Sequence, residues 1–360
     1  MAESTAHRRK SASPFEFADD AANWTKEELG RSRDWIHVLS PEEVADLRSA
    51  TKATLTNQTP LVELTKENFP LPVLGPTLRR VKNELMEGLG IALLRGVPVE
   101  TFSRAESIAA FLGIGCHLGK PVSQNAKGHI LGHVKDLGER SFDKPTDRGY
   151  QTHDKLPFHS DSCDVVGLLC LHHAKSGGAS TVVSTIHIYN EMLRRAPHLV
   201  RPLAEPIFRD RRGEVPEGGK PYYALPVFNW HQGYLSVFWQ GGYIRSAQRF
   251  DELPRHSPEL LEALDMFGNL ARELCFHMDF QMGDIQFLNN HVTVHSRTEY
   301  EDFADSDKKR HLLRLWLATS DGRPLPPAIF ERYPNLPRGE RPSGGIIVPG
   351  TNLKVPIEAE

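Results

Sequence analysis

Three short segments carry residue types that could act together chemically. The first is His159-Ser160-Asp161. On an extended strand the imidazole and the carboxylate share a face, because side chains repeat every second residue. Two adjacent corners of a metal's coordination shell need that arrangement. The pair alone says little. With 17 histidines and 46 acidic residues in 360, about two His-x-Asp/Glu pairs arise by chance. A second is indeed present, His277-Met278-Asp279. For either, the plain alternative is a polar pair satisfied at a strand end.

The second segment runs from Gly283 to Arg297 and reads as a turn, a strand, a kink and a second strand. His291, Thr293 and His295 share one face of that second strand, with Val292 and Val294 on the other. A lone histidine here is ordinarily structural. Placed opposite His-x-Asp it would complete a two-His-one-carboxylate triad, which leaves coordination positions open for non-haem Fe(II) oxygenase chemistry. The third segment, Arg310 to Leu317, alternates so that Arg310, Leu312, Arg314 and Trp316 share a face. The two arginines would stand roughly 13 Å apart along the strand. An arginine buried without an anion is costly. Either this face is at the surface or paired with carboxylates, or the arginines meet anionic ligands inside, where the guanidinium fork suits a carboxylate.

The elements that must position these residues can be read from local signals. Ser40-Pro41-Glu42-Glu43 combines an N-cap, a proline at the first helical position and a capping-box glutamate. Leu78, Val81, Leu85 and Leu89 have helical spacing, with a stop at Gly88 to Gly90. Ile91 to Arg95 is a short buried strand. Ser103 to Glu106 is a second capping box, opening a helix that should end near Gly113 to Gly115. Beyond about residue 120, short strands alternate with glycine and proline turns. Val165 to His173 and Thr181 to Ser184 read as strands, Thr185 to Arg195 as a helix, and residues 208–223 as a long polar loop. An amphipathic helix starts at Ser257. Three strands follow, over Asp284 to Asn289, Val292 to Ser296 and Arg310 to Thr319. Residues 1–33 read as a mobile arm that partly wraps the body, and 34–360 as a single domain with a mainly β core and flanking helices.

Composition narrows the class. The chain is 39% hydrophobic and 25% charged, with net charge −3, as in ordinary soluble globular proteins. The apolar runs have strand length, far below the roughly 18 residues of a membrane span. No basic stripe suggests nucleic acid. Cys116, Cys163, Cys170 and Cys275 form no CxxC pair, so neither a zinc ribbon nor a disulfide framework is expected. No secretory or lipidation signal is visible, which makes the cytoplasm the default location.

Taken in order, His-x-Asp, Gly177-Gly178-x-Ser180, a histidine about 130 residues on and Arg-x-x-x-Arg resemble the taurine dioxygenase (TauD/TfdA) family of Fe(II)/2-oxoglutarate-dependent oxygenases. LLRGVP (93–98), LPFHSD (156–161), GDIQFLNNHVTVH (283–295) and RHLLRLWL (310–317) extend the resemblance over about residues 88–330. It implies an α+β protein with a mainly β core, a double-stranded β-helix (jelly roll) whose strands hold the metal at the barrel mouth.

By the same resemblance, His159, Asp161 and His295 are the Fe(II) ligands and Arg310 grips the distal carboxylate of 2-oxoglutarate. Ser180 stands where many members have a threonine touching that group, and Arg314 where an anionic part of the substrate is often met. The longer gap from His295 leaves the choice between Arg310 and Arg314 for the cosubstrate open. Gln124-Asn125 falls where relatives place polar substrate contacts; Asn125 is the candidate, with turn formation as its alternative. Trp230, His231, Phe238 and Trp239 could wall the pocket or pack the core, and His153-Asp154 could belong to a lid. His277/Asp279 lies too near His295 in sequence to cross the barrel.

The implied activity is O₂-dependent oxidation of an unactivated C–H bond, with 2-oxoglutarate leaving as succinate and CO₂. Hydroxylation is the default; desaturation and cyclisation would use the same residues. The substrate would be a small anionic molecule such as an amino acid or a biosynthetic intermediate, with no nucleic-acid or membrane partner and the oligomeric state left open. The alternatives are a Zn-dependent hydrolase and a non-catalytic jelly-roll metal- or ligand-binding protein.

Overall fold

The computed structural model describes residues 9–138, 152–333, 341–342 and 344–360. The N-terminal third builds α1 (Lys26–Arg31), β1 (Ile36–Val38), α2 (Pro41–Thr56), α3 (Gly75–Glu87), β2 (Ile91–Arg95), α4 (Arg104–Leu118), β3 (Lys120–Pro121) and β4 (Leu131–Val134). The middle adds β5 (Leu156–His159), β6 (Val165–His172), β7 (Ser176–Gly177), β8 (Ser180–Ser184), α5 (Thr185–Arg195), α6 (Val200–Ala204), β9 (Ile207–Asp210) and β10 (Tyr222–Leu225). The remainder supplies β11 (Phe228–His231), β12 (Tyr234–Val237), α7 (Gly241–Ser246), α8 (Pro258–Leu274), β13 (Phe276–His277), β14 (Ile285–Asn289), β15 (Thr293–Arg297), β16 (Tyr300–Glu301) and β17 (His311–Ala318).

Both expected capping boxes form. Ser40 receives the Glu43 amide while the Glu43 carboxylate receives the Ser40 amide, and Ser103 with Glu106 does the same. Such caps contribute about 1 kcal/mol each. The second box opens a helix longer than its glycines suggested. Gly113 and Gly115 do not end α4; they sit inside it, where a Cβ at 113 would come 2.3 Å from the Phe69 ring and one at 115 would come 2.7 Å from Leu315. Close approach of a neighbour, rather than chain reversal, requires glycine at these positions.

Two sheets face each other in a jelly roll. The larger has the order β1-β2-β14-β6-β17-β3, with β4 also on β17; the smaller has the order β13-β8-β15-β5. All these pairings are antiparallel except β1 with β2. Strand alternation then builds three apolar layers. Ile91, Leu93, Val166, Leu288 and Trp316 of the larger sheet meet Val182 of the smaller one between the sheets. Ala92, Leu94, Phe287, Leu313, Leu315 and Leu317 point the other way, into α2, α3 and α4. Val183 and Val294 carry the outer face of the smaller sheet into α5, α6 and α8. Each such fully buried large side chain contributes about 1.5–3 kcal/mol.

Two expectations change. Residues 9–33 are not a loose arm: Ala18, Ala22, Trp24 and Leu29 are buried, and Asp20 forms a buried ion pair at 2.8 Å with Arg323. Residues 208–223 are not one polar loop either. β9 and β10 pair antiparallel from Ile207↔Leu225 to Asp210↔Tyr222, and Arg209 is fully buried. Its guanidinium donates to the carbonyls of Ile207 and Phe238 at 3.0 and 2.9 Å, which is how so polar a segment enters the interior.

Candidate metal centre

β15 lies between β8 and β5, and the register puts His295 opposite His159 on one side and Val182 on the other. Asp161 follows β5 by two residues, its backbone N–H donating to the Asn290 side-chain oxygen at 2.9 Å. One ligand atom from each of His159, Asp161 and His295 lies within 4.8 Å of the others; among the described residues this is the one group of three that could hold a metal ion. His295 Nε2 is 3.6 Å from Asp161 Oδ2, and His159 Nε2 is 3.8 Å from Asp161 Oδ1. These separations are too long for hydrogen bonds and suit three donors around a shared cation.

Protonation states agree with that geometry. His159 Nδ1 lies 2.9 Å from the Pro157 carbonyl, which makes Nδ1 the protonated nitrogen and leaves Nε2 with a lone pair facing Asp161. Burial, reinforced by His159, pushes His295 down to about 3, so it is a neutral donor. Burial opposes ionisation of Asp161, but Arg314, His295 and His159 outweigh it and hold the carboxyl below its ordinary value. Asp161 Oδ2 and His295 Nδ1 are buried without hydrogen-bond partners. A divalent cation would satisfy such a carboxylate oxygen, which accepts no hydrogen bond among the described residues.

Beside the triad stand the arginines. Arg310 is 5% exposed, and its Nη2 donates to the Gly178 carbonyl at 3.3 Å. Gly178 has φ +70°, and a Cβ there would come 2.9 Å from Arg310 Nε, so the turn before Ser180 needs glycine for both conformation and space. Ser180 is buried on β8. Arg314 donates through Nε to Gln124 Oε1 at 2.7 Å, and its Nη1 lies 3.8 Å from Asp161 Oδ1. Gln124, not Asn125, is therefore the loop residue that meets this arginine. Asn125 closes a turn, its side-chain oxygen accepting from the amides of Lys127 at 2.9 Å and His129 at 3.4 Å.

The aromatic candidates divide. Trp239 stacks on Phe267 at 3.9 Å and Trp230 packs on Tyr189, both as core. Phe238 lies against His291 and lines a small hollow that also touches Asp161, Arg332 and Tyr333. Arg332 and Tyr333 in turn line a larger cavity of about 330 Å³, with Tyr223, Tyr243, Glu214 and Ile346. It abuts the metal loop: the Tyr223 hydroxyl donates to Gln240 Oε1 at 3.0 Å, Gln240 Nε2 donates to the Ser160 carbonyl at 3.3 Å, and Arg332 donates to the Ser162 hydroxyl. His277 and Asp279 sit elsewhere, His277 on β13 opposite Thr181 and Asp279 exposed 3.7 Å from Arg95. The sequence reading missed Arg332, Tyr223 and Arg297. Of these only Arg297 left a signal, two residues beyond His295 on the same strand face.

The family described as "Taurine catabolism dioxygenase TauD, TfdA family" matches residues 55–316. The chain is similar to FR-33289 synthase of Streptomyces rubellomurinus, 35% identical over 312 residues that cover 85% of this chain and 91% of that protein. It is also similar to the taurine hydroxylase-like protein SAT17 of Stachybotrys chartarum, 31% identical over 310 residues, 82% of this chain and 78% of that one. Among solved structures, asparagine oxygenase with Fe(II), 2S,3S-3-hydroxyasparagine and succinate superposes with TM-score 0.62 at 17% identity, covering 79% of this chain and 94% of its own. The non-heme iron oxygenase OrfP with Fe and alpha-ketoglutaric acid superposes with TM-score 0.61 at 14% identity, over 79% and 94%. No helix among the described residues is long and apolar enough to cross a membrane. With its jelly roll, its two-His-one-carboxylate cluster and a family match over most of its length, the chain belongs to the TauD/TfdA family of Fe(II)/2-oxoglutarate-dependent oxygenases.

Proposed function

We propose that this oxygenase hydroxylates an unactivated C–H bond of a small, anionic, amino-acid-like molecule. The observation that carries the reading is the convergence of His159, Asp161 and His295 beside Arg310, which is buried, forms no ion pair among the described residues and has Nη1 without an acceptor. The three side chains hold Fe(II). Arg310 and Ser180 hold the distal carboxylate of 2-oxoglutarate. Arg314 is the poorer choice for that carboxylate, because Gln124 already occupies its Nε; its cation is directed at the metal's surroundings, where it would meet a charged part of the substrate. Iron and 2-oxoglutarate together supply the O₂ activation that oxidises the C–H bond, and the keto acid leaves as succinate and CO₂.

The chain's own contribution is placement. His159 is fixed by its Pro157 hydrogen bond and Asp161 by Asn290, so two of the donors are aligned before a cation arrives. The cavity beside Ser160 to Ser162, with Arg332 and three tyrosines, receives the far end of the substrate and keeps water from the reacting bond. Molecules of this size are bound in solved structures of the same fold, which were crystallised with 2S,3S-3-hydroxyasparagine and with (3S)-hydroxy-L-Arg.

The test is anaerobic addition of Fe(II) and 2-oxoglutarate to metal-free protein, with the visible charge-transfer band of the chelate as readout. The band should vanish in His159→Ala and weaken in Arg310→Ala. Succinate release across a panel of amino acids and related acids then identifies the substrate, and a 16-dalton gain in its mass identifies hydroxylation. A folded, metal-loaded protein without the band sinks the reading and favours a hydrolytic or binding role.

A further inference from the structure

Arg297 is a third buried arginine near the triad, after Arg310 and Arg314, and the foregoing assignments give it nothing to do. It lies two residues beyond His295 on β15, so its side chain leaves the strand on the same face. In the antiparallel register it stands directly opposite Ser180 on β8, and facing pairs of this kind have Cβ atoms about 5 Å apart. It is 4% exposed, as closely buried as Arg310.

The two guanidiniums share a neighbour. Cζ of Arg297 is 4.8 Å from the centre of the Tyr300 ring and Cζ of Arg310 is 5.2 Å from it. The Tyr300 hydroxyl is held by the Thr152 carbonyl, so the ring is a fixed platform. Arg297 donates through Nη2 to the Asp154 carbonyl, while its Nε and Nη1 are buried without acceptors; Nη1 of Arg310 is in the same condition. Among the described residues neither arginine forms an ion pair. Two cations in one dry recess repel each other. A ring face offsets part of this. The unused N–H groups still need an acceptor, and an anion supplies the acceptor and the charge together.

We propose that Arg297 is a second cationic anchor for the distal carboxylate of the keto-acid cosubstrate, so that Arg310, Arg297 and Ser180 form a twin-guanidinium cradle. The inference rests on the proposed function and adds a residue to its cosubstrate site. One guanidinium can take a carboxylate through two parallel N–H groups, and the second then takes the lone pairs left over. The consequence is selectivity for keto acids that carry a second carboxylate, beyond what Arg310 alone would give. A purely structural Arg297 would instead do no more than tether the Asp154 carbonyl ahead of β5.

The two roles separate in an anaerobic titration of the Fe(II)-loaded protein, read by the chelate band, with 2-oxoglutarate and with 2-oxobutyrate. The second acid has the same chelating end and no distal carboxylate. Arg297→Gln should weaken 2-oxoglutarate binding roughly 10- to 100-fold and leave 2-oxobutyrate within about threefold. Arg297→Lys, which keeps the charge without the fork, should fall between. It also serves as the variant to measure should Arg297→Gln not fold. An unshifted 2-oxoglutarate titration, or an equal loss for both acids, overturns the anchor and leaves the tether. Absence of a band in the unaltered protein overturns the proposed function itself, so the two failures are distinguishable.

Discussion

Asp161 and Asp164 stand three residues apart, Asp161 turned toward His295 on β15 and Asp164 toward His291 just before it, and their side chains are almost equally buried at 6% and 5% exposed. Around Asp164 the contacts are closed. His291 Nε2 lies 2.7 Å from Oδ1, Arg341 Nη2 lies 2.6 Å from the same oxygen, and the Thr319 amide donates to Oδ2 at 2.8 Å. Around Asp161 they are open: His295, His159 and Arg314 stand off at 3.6 to 3.8 Å, and Oδ2 has no partner. Asn290 positions both, accepting from the Asp161 amide and donating its own amide to the Asp164 carbonyl. The same residue types at the same depth thus make a structural clamp in one place and an unsatisfied site in the other. Residue type and burial do not separate the two roles. The separation lies in whether the protein completes the hydrogen bonding itself.

Substitution should break the comparison apart. Asp161→Ala should weaken Fe(II) binding more than about 100-fold and abolish turnover. The metal-free protein should lose less stability than Asp164→Ala does, because Arg314 loses a counter-charge 3.8 Å away while no hydrogen bond to Asp161 Oδ2 is broken. Isothermal titration with Fe(II) and urea unfolding measure the two halves. Asp164→Ala should do the reverse, costing about 3–5 kcal/mol in urea unfolding by stranding Arg341 and His291. Should both variants lose stability equally, the clamp-and-site distinction fails.

A third buried cluster sharpens the contrast through pH. Arg104 Nη1 lies 2.8 Å from His311 Nδ1, and His311 Nε2 lies 2.8 Å from His133 Nδ1. Burial and then Arg104 lower His311 to about 2. Its folded value is depressed, so between about 2 and the ordinary imidazole value near 6.5 the unfolded chain binds more protons. Stability should therefore rise with pH through that window and be lost on acidification, by at most about 1.4 kcal/mol per pH unit from this group. His311→Asn should flatten the slope between pH 6.5 and 4; an unchanged slope would show the cluster to be irrelevant to acid unfolding. The smallest effect expected is at the cavity: Arg332→Ala should raise KM for the substrate about tenfold with kcat within about threefold, as for loss of one charge-assisted contact.

How much of this was legible in the sequence depended on whether the signal was local. The capping boxes at Ser40 and Ser103 read correctly because every partner lies within four residues. The clustering of His159, Asp161 and His295 followed from a family resemblance carried by motifs in order, with strand alternation saying only which side chains share a face. Gly113 and Gly115 misled because their reason is Phe69 and Leu315, contacts no local pattern encodes. The burial of Arg209 depends on carbonyls from three different segments, and Arg332 reaches the metal loop only through the fold. Between Gln124 and Asn125 the choice could not be made from composition, as either amide can face a pocket or close a turn. Arg297 had the alternation on its side, yet its meaning required seeing that two of its N–H groups are buried without acceptors and that it forms no ion pair among the described residues.

The ion pair between Asp20 and Arg323 joins positions 303 residues apart. A ribosome makes the aspartate 303 residues before its partner. Throughout elongation the early segment has a carboxylate with no counter-ion and apolar residues, Ala22 and Trp24 among them, with no finished surface to cover. The seam therefore closes late, after most of the barrel has been translated, because contacts of such long range carry the largest loop-closure cost. Until then Ala22, Trp24 and Leu29 of the nascent chain lack the surface that buries them in the finished fold.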